Sequence, residues 1–226
     1  MENIKTYVMC HNQDIILYFI NNGKYNNIGE YKFLFLGYGD TDKIKNNNQV
    51  IICRDLANNI EQNKNCLQYC AWYALFYNNL IDSEYIRFVD YDIDIINHNV
   101  HTNKKIKGTI GFNFDFYFKE GFGDNLKFNQ DTFNYCGKDI DTLINEYSSK
   151  YGITKWFSSI DTIIHIDTLK EFMDWFYNYY VNNASNFYFG MHFERFLMIY
   201  CMMSSIECEI SENETIHHQA MSHKYY

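Results

Sequence analysis

Hydrophobic positions fall into short runs separated by polar corners, and the period of each run predicts its element. Thr6 to Cys10 reads as a buried strand, followed by the polar corner His11-Asn12-Gln13-Asp14 and an apolar segment, Ile15 to Ile20, that stops at Asn22-Gly23. This predicts a strand, a loop and a helix. Lys32 to Leu36 is a second strand, closed by Gly37-Tyr38-Gly39-Asp40-Thr41-Asp42, where glycines permit unusual backbone angles. Val50 to Cys53 is a candidate third. From Asn59 to Asn79 the positions Cys66, Cys70, Tyr73 and Tyr77, beside Leu67, Ala71 and Leu75, recur at helical spacing and predict one long packed helix. Tyr85 to Val89 is an apolar strand that ends abruptly in Asp90-Tyr91-Asp92-Ile93-Asp94.

In the second half, Thr109 to Lys119 sets Phe112, Phe114, Phe116 and Phe118 against Asn113, Asp115 and Tyr117, the period of a half-buried strand. Asp139 to Lys150 predicts a helix and Ile163 to Ile166 a strand. Thr168-Leu169-Lys170-Glu171 has the form of a capping box leading into Leu169, Phe172, Met173, Phe176 and Tyr180. A final helix is predicted from Met191 to Met203, with Phe193, Phe196, Leu197, Tyr200 and Cys201 inward. Residues 205–226 read as a polar, histidine-bearing C-terminal tail. No repeat or linker interrupts the pattern, so a single domain over 1–226 is expected. Strands alternating with helices predict an α/β fold, a Rossmann-type mixed and mainly parallel sheet flanked by helices. Its ligand crevice would lie at the strand C-termini, with His11, Asp40 and Asp90.

Composition narrows the function classes. At 226 residues, 47% hydrophobic and 21% charged, the chain can bury a core, which excludes disorder. A net charge of -9 provides no basic field, so nucleic acid is not an expected partner. The longest apolar runs, Cys70 to Tyr77 and Phe196 to Met203, fall well short of the roughly 20 residues of a spanning helix, so no integral membrane segment is expected. Glu2, Asn3 and Lys5 open a start without the basic and long apolar regions of a secretory signal. The 7 cysteines, odd in number and scattered, suggest reduced thiols and a cytoplasmic location. An aromatic share of 19%, no proline, and abundant Asn, Ile and Lys share AT-rich codons, a genome bias rather than a binding surface.

The sharpest chemical signal is Phe88-Val89-Asp90-Tyr91-Asp92, two carboxylates where an apolar strand leaves the core. Burying unpaired carboxylates together is costly, and a magnesium or manganese ion bridging them to a diphosphate would offset that cost; the alternative is a solvated acidic turn. This segment resembles the D-x-D motif of GT-A-type glycosyltransferases, which use a sugar nucleotide and a divalent cation. Asn63-Lys64, Gln68, Ala71, Tyr73 and Asn78, followed by Tyr85-Ile86 and the strand, resemble the helix-then-strand segment of a capsular-polysaccharide glycosyltransferase family. That family often carries a basic aromatic sequence in place of D-x-D, so this chain departs toward the metal-dependent type. Phe189-Gly190-Met191-His192-Phe193-Glu194-Arg195-Phe196-Leu197 resembles the family's Gly-Phe-x-x-Glu-Arg-Leu-Leu element. Residues 97–135 align only loosely.

The resemblance implies a GT-A-like fold and a sugar-nucleotide site. It implies donor binding by His11, Asn12, Asp40, Asn63, Gln68, Asp90 and Tyr91. It implies Mn2+ or Mg2+ held by Asp90 and Asp92 with a late histidine, His218 or His223, beside His217. Glu194, acidic near the start of an apolar helix, matches the general base of inverting members; the alternative is a glutamate that caps the helix or pairs with Arg195. Asp161 is the second base candidate, against a turn residue. Walker, Rossmann-glycine, His-Glu-x-x-His and Gly-x-Ser-x-Gly elements are missing from the sequence. The expected function is metal-dependent transfer of a sugar from a UDP-sugar donor to a glycan or other acceptor hydroxyl, with inversion. The alternatives are a catalytically silent sugar-nucleotide or glycan-binding module and a nucleotidyltransferase. The codon bias suits a large DNA virus, which would place the chain in the host cytoplasm.

Overall fold

The computed structural model describes residues 4–97, 102–114, 118 and 125–218. Seven strands form the central sheet: β1 (Ile4–Cys10), β2 (Tyr31–Phe35), β3 (Val50–Ile52), β4 (Tyr85–Asp90), β6 (Ile106–Gly108), β9 (Asp161–His165) and β10 (Cys208–Ile210). Their order is β10-β6-β9-β4-β1-β2-β3. Only β9 runs against its neighbours, pairing antiparallel with β4 and β6; the other pairings are parallel. The expected mixed, mainly parallel α/β sheet is therefore what the chain forms. Two short antiparallel pairs stand beside it: β5 (Ile93–Ile95) with β11 (Thr215–His217), and β7 (Gly111–Asn113) with β8 (Lys155–Phe157).

Strand periodicity divides the core. On β1, Tyr7 and Met9 join one buried cluster with Phe88, while Val8 and Cys10 join another with Phe33, Phe35 and Val89. The first cluster takes in helices α2 (Tyr69–Tyr77), α4 (Ile140–Tyr151), α5 (Ile166–Asn183) and α6 (Phe189–Met203); the second takes in α1 (Gln13–Asn22). Trp72 of α2 stacks on Phe88 with ring centroids 4.2 Å apart, one of the contacts that fix the helix over β4. Among the described residues no helix is long and apolar enough to cross a membrane.

Several expected elements differ. The helix expected over 59–79 is shorter: a 3-10 turn covers Lys64–Cys66, and Leu67, at φ 46 and ψ -126, separates it from α2. The apolar spacing is real, because Cys66 and Cys70 are both buried, but Leu67 leaves the helical path. Of the strand expected over 109–119, β7 alone is extended; Phe114 and Phe118 are buried, and 115–117 and 119 lie outside the described residues. A helix that the periodicity did not predict, α3, spans Asn125–Cys136. The cap of α5 is His165, whose Nδ1 accepts the Asp167 amide at 3.2 Å, so the helix begins before the expected capping box. The polar stretch read as a tail supplies two strands, β10 in the central sheet with Cys208 buried, and β11. Backbone pairing needs no apolar pattern, which is why hydropathy missed them.

Candidate functional site

Strands β1, β2 and β4 present their C-terminal ends to one crevice, as an open parallel sheet does. Its volume is about 600 Å3, and His11, Tyr38, Glu61, Lys64, Gln68 and Asp90 are among its lining residues. The turn after β2 forms a wall: Arg54 donates to the carbonyls of Gly37 at 3.0 Å and Gly39 at 2.8 Å and to Thr41 Oγ1 at 2.8 Å. Gly39 packs closely there: a Cβ would lie 3.3 Å from the His11 carbonyl and 3.2 Å from Phe35 Cζ, tight contacts that a side chain would have to push apart by a few tenths of an ångström. On the other side, Gly190 lets α6 approach Leu67: a Cβ on Gly190 would fall 2.5 Å from Leu67 Cδ1 and 2.8 Å from its Cγ. Gly190→Ala is expected to displace Leu67 from the crevice wall and destabilise the fold by about 1–3 kcal/mol, the usual range for overpacking. A denaturant melt checks this; an unchanged midpoint would show that the contact relaxes freely.

At the end of β4 a chain of polar groups runs from the crevice wall, at Gln68 and Asp90, into the interior. Gln68 Nε2 donates to Asp90 Oδ2 at 2.8 Å, and Ser159 Oγ lies 3.0 Å from Gln68 Oε1 and 2.8 Å from Glu194 Oε1. Ser158 Oγ is 3.3 Å from the same glutamate oxygen. Burial pushes the Asp90 carboxyl well above the ordinary carboxylate range, with the charges of Asp92, Glu194 and Asp161 acting the same way and the Gln68 amide opposing. Three elements distant in sequence, the start of α2, the turn before β9 and α6, thus converge on the last residue of β4.

Beyond it, β11 pairs with β5 and lays the C-terminal histidines against the acidic run. His217 Nε2 is 3.3 Å from Asp92 Oδ2, and the His218 amide donates to the Asp92 carbonyl at 2.9 Å. The His218 ring turns to Asp94, with Nε2 2.5 Å from Oδ2, while Lys24 Nζ holds the other oxygen of Asp94 at 2.8 Å. Burial would raise the Asp94 carboxyl, but Lys24 and His218 outweigh it and hold that group below its usual range. His217, rather than the expected His218, is the imidazole beside Asp92. His223 lies outside the described residues. Asp92 Oδ1 is buried and has no hydrogen-bond partner among the described residues.

The remaining expected residues separate. Asp161, the second base candidate, is fully buried, with Arg87 Nε donating to one carboxylate oxygen at 2.8 Å and Arg87 Nη2 to the other at 2.7 Å. Thr109 Oγ1 donates to the second oxygen at 2.5 Å, so Asp161 is an internal counter-ion of the sheet. Asn12 is a helix cap, its Oδ1 accepting the amides of Asp14 at 2.8 Å and Ile15 at 3.3 Å. Asp40 is exposed and closes a turn by accepting the Asp42 amide at 3.0 Å, while Gly37, Tyr38 and Gly39 line the crevice in its place. Asn63 points to α5, donating to Tyr180 OH at 2.9 Å; its neighbour Lys64 lines the crevice. Gln68, Asp90, Tyr91 and His11 do line it, with the His11 and Tyr91 rings meeting edge to face at 5.4 Å. Burial lowers the His11 imidazole below its ordinary value, and Asp92 partly opposes this. Glu194 lies beyond the first turn of α6, so its contacts are with Ser158 and Ser159, and the helix-terminal field expected to hold it is weak there.

Glu61 and Ser159 were not foreseen. Glu61 falls within the segment expected to be helical but lies in a turn before it, and Ser159 is a small polar residue whose sequence neighbours reveal nothing of Gln68 or Glu194. The Asp92 carboxylate with its partnerless oxygen and the adjacent His217 fit a divalent cation as part of a ligand set. Magnesium-type sites often take one or two protein ligands and complete the shell with substrate phosphates and water. Among the described residues no group of three or more His, Cys, Asp or Glu side chains is arranged to hold a metal alone.

No family model matches the chain, and no curated protein matches it in sequence. Among solved structures it is similar to the apo structure of the bifunctional glycosyltransferase WbbM, with a TM-score of 0.62 and 13% identity over 96% of this chain and 45% of that one. A more distant likeness is to the galactosyltransferase LgtC in complex with donor and acceptor sugar analogs, at a TM-score of 0.40 and 10% identity over 91% of this chain and 72% of that one. The fold is GT-A-like, as the sheet order and the similarity to WbbM show. The chain spans less than half the length of WbbM.

Proposed function

We propose that this chain is a glycosyltransferase that moves a sugar from a UDP-sugar to an acceptor hydroxyl with inversion at the anomeric carbon. The observation that carries the reading is the polar chain that joins Asp90, on the crevice wall at the end of β4, to Glu194 through Gln68 and Ser159, with Asp92 two residues further on beside His217. The GT-A-like fold supports it, because such sheets take nucleotide ligands at that edge. The nucleotide would lie across the ends of β1 and β2, with His11 and Tyr91 at its side and Lys64 as a cationic contact for phosphate. Asp92 and His217 would hold Mn2+ or Mg2+, and the cation would neutralise the charge that develops on the diphosphate leaving group.

Within this arrangement Glu194 accepts the proton of the acceptor hydroxyl as the oxygen attacks the anomeric carbon. Ser159, in hydrogen-bond reach of one glutamate oxygen, fixes the carboxylate's direction. Gln68 bonds to Asp90 and so holds that carboxylate away from the proton-accepting role. A single base and a direct displacement give inversion.

Binding and turnover test the reading separately. Calorimetry should show UDP binding tightened by Mn2+, and Asp92→Ala should abolish the gain while leaving the protein folded, as a cooperative thermal melt would show. Equal UDP affinity with and without cation in the parent protein would remove the metal from the reading. Slow release of UDP from a UDP-sugar, dependent on Mn2+, is the expected activity in the absence of acceptor. Complete inertness toward a panel of UDP-sugars, with UDP still bound, would instead identify a binding module.

A further inference from the structure

The crevice contains a carboxylate that the reaction above does not use. Glu61, in the connection between β3 and α2, is 5% exposed and lines the cavity with Tyr38 and Lys64. One oxygen, Oε2, accepts the Gly37 amide at 2.6 Å. The other, Oε1, is buried and has no hydrogen-bond partner among the described residues. A buried acceptor left unsatisfied costs stability, and its presence in a ligand cavity is accounted for if a ligand supplies the missing donor. Burial raises the Glu61 carboxyl above its ordinary range, opposed by the Gly37 amide and Arg54, the expected behaviour of a group lacking that donor.

Position selects the part of the ligand. Asp90 ends β4 and Gly37 follows β2, on opposite sides of β1 in the sheet. Two strand spacings separate them, roughly 10 Å, so a nucleotide whose diphosphate lies at the Asp90-Tyr91-Asp92 end extends its ribose across β1 and its base toward Gly37 and Glu61. The Tyr38 ring, 61% exposed, offers a face on which a base can stack. We infer that Glu61 is the residue that reads the nucleobase, accepting the ring N3–H of uracil on the oxygen that Gly37 leaves open. This deepens the UDP-sugar reading and rests on it.

The chemistry is selective because an ionised carboxylate only accepts. Uracil offers a donor at N3, whereas cytosine presents a lone pair at the same place and is repelled. Guanine also carries a ring N–H, but its adjacent amino group would need the second oxygen, which the Gly37 amide already occupies. Glutamine at this position inverts the pattern. The Gly37 N–H requires the amide oxygen, which turns the NH2 toward the base and matches the cytosine lone pair.

Calorimetric titration of the full chain with UDP, CDP and GDP in Mn2+ tests the inference, together with N3-methyl-UDP on the unsubstituted protein. UDP should bind at least about tenfold more tightly than CDP, GDP or N3-methyl-UDP, a modest discrimination for a buried hydrogen-bond reader. Glu61→Gln should bring CDP level with UDP or ahead of it. UDP and CDP binding alike to the parent, a UDP preference that survives Glu61→Gln, N3-methyl-UDP binding as well as UDP, or GDP binding more tightly than UDP would each overturn it. If Glu61→Gln does not fold, the methylated nucleotide decides the matter on the native protein. Failure of every nucleoside diphosphate to bind would overturn the broader reading as well, whereas UDP binding without base preference removes Glu61 alone.

Discussion

Glu194→Gln is expected to lower sugar transfer by a factor on the order of 10^2 to 10^4, the usual contribution of a positioned general base, while UDP and Mn2+ binding stay at parental strength. The amide keeps the shape of the side chain and an oxygen that can face Ser159, which is 2.8 Å from Glu194 Oε1, so folding should change little. Single-turnover transfer, UDP calorimetry and a thermal melt on the same preparation separate the possibilities. Lost turnover with retained donor binding and melting temperature assigns the proton-accepting role to Glu194. Parental turnover in the variant would remove Glu194 from the mechanism. A lowered melting temperature with parental donor binding would mark it instead as a structural partner of Ser158 and Ser159.

The second large effect is on stability. Asp161→Asn should destabilise the protein by about 3–5 kcal/mol, because Arg87 would be left buried without its counter-charge. For a chain of this size that corresponds to a fall in melting temperature of roughly 6–20 °C. Arg87 is 3% exposed and Asp161 is 0% exposed, and both carboxylate oxygens carry hydrogen bonds. Replacing both residues together, as Arg87→Met with Asp161→Leu, should recover much of the loss, since neither charge then remains buried. Activity should follow the folded fraction in each variant. An Asp161→Asn protein that melts normally yet transfers no sugar would restore Asp161 to the chemistry.

The two acidic base candidates illustrate where sequence reading reaches its end. Asp161 and Glu194 each precede or enter an apolar segment, and each offered a catalytic and a structural interpretation. Nothing local distinguishes them, because the deciding partners are far away: Arg87 lies 74 positions from Asp161, and Ser159 lies 35 positions from Glu194. The same holds for the late histidines. Their polar surroundings resembled a tail, yet the pairing of β11 with β5 sets His217 at Asp92 and His218 at Asp94.

Strands β1, β2 and β4, helices α1, α5 and α6, and the carboxylates at the end of β4 were all legible in the sequence, because each depends on a periodicity of apolar side chains within a single short segment. The break at Leu67 was not, since the apolar spacing continues through it and only packing against Gly190 and the crevice accounts for the departure from the helix. The sequence by itself therefore determined which faces are buried and that acidic groups end the central strand. Tertiary structure alone decided which polar groups are neutralised internally, as Asp161 is by Arg87, and which face the crevice, as Asp90 and Glu61 do. The physical reason is that burial of apolar surface is additive along an element, whereas a hydrogen bond or ion pair requires two groups from different elements to meet within about 3 Å.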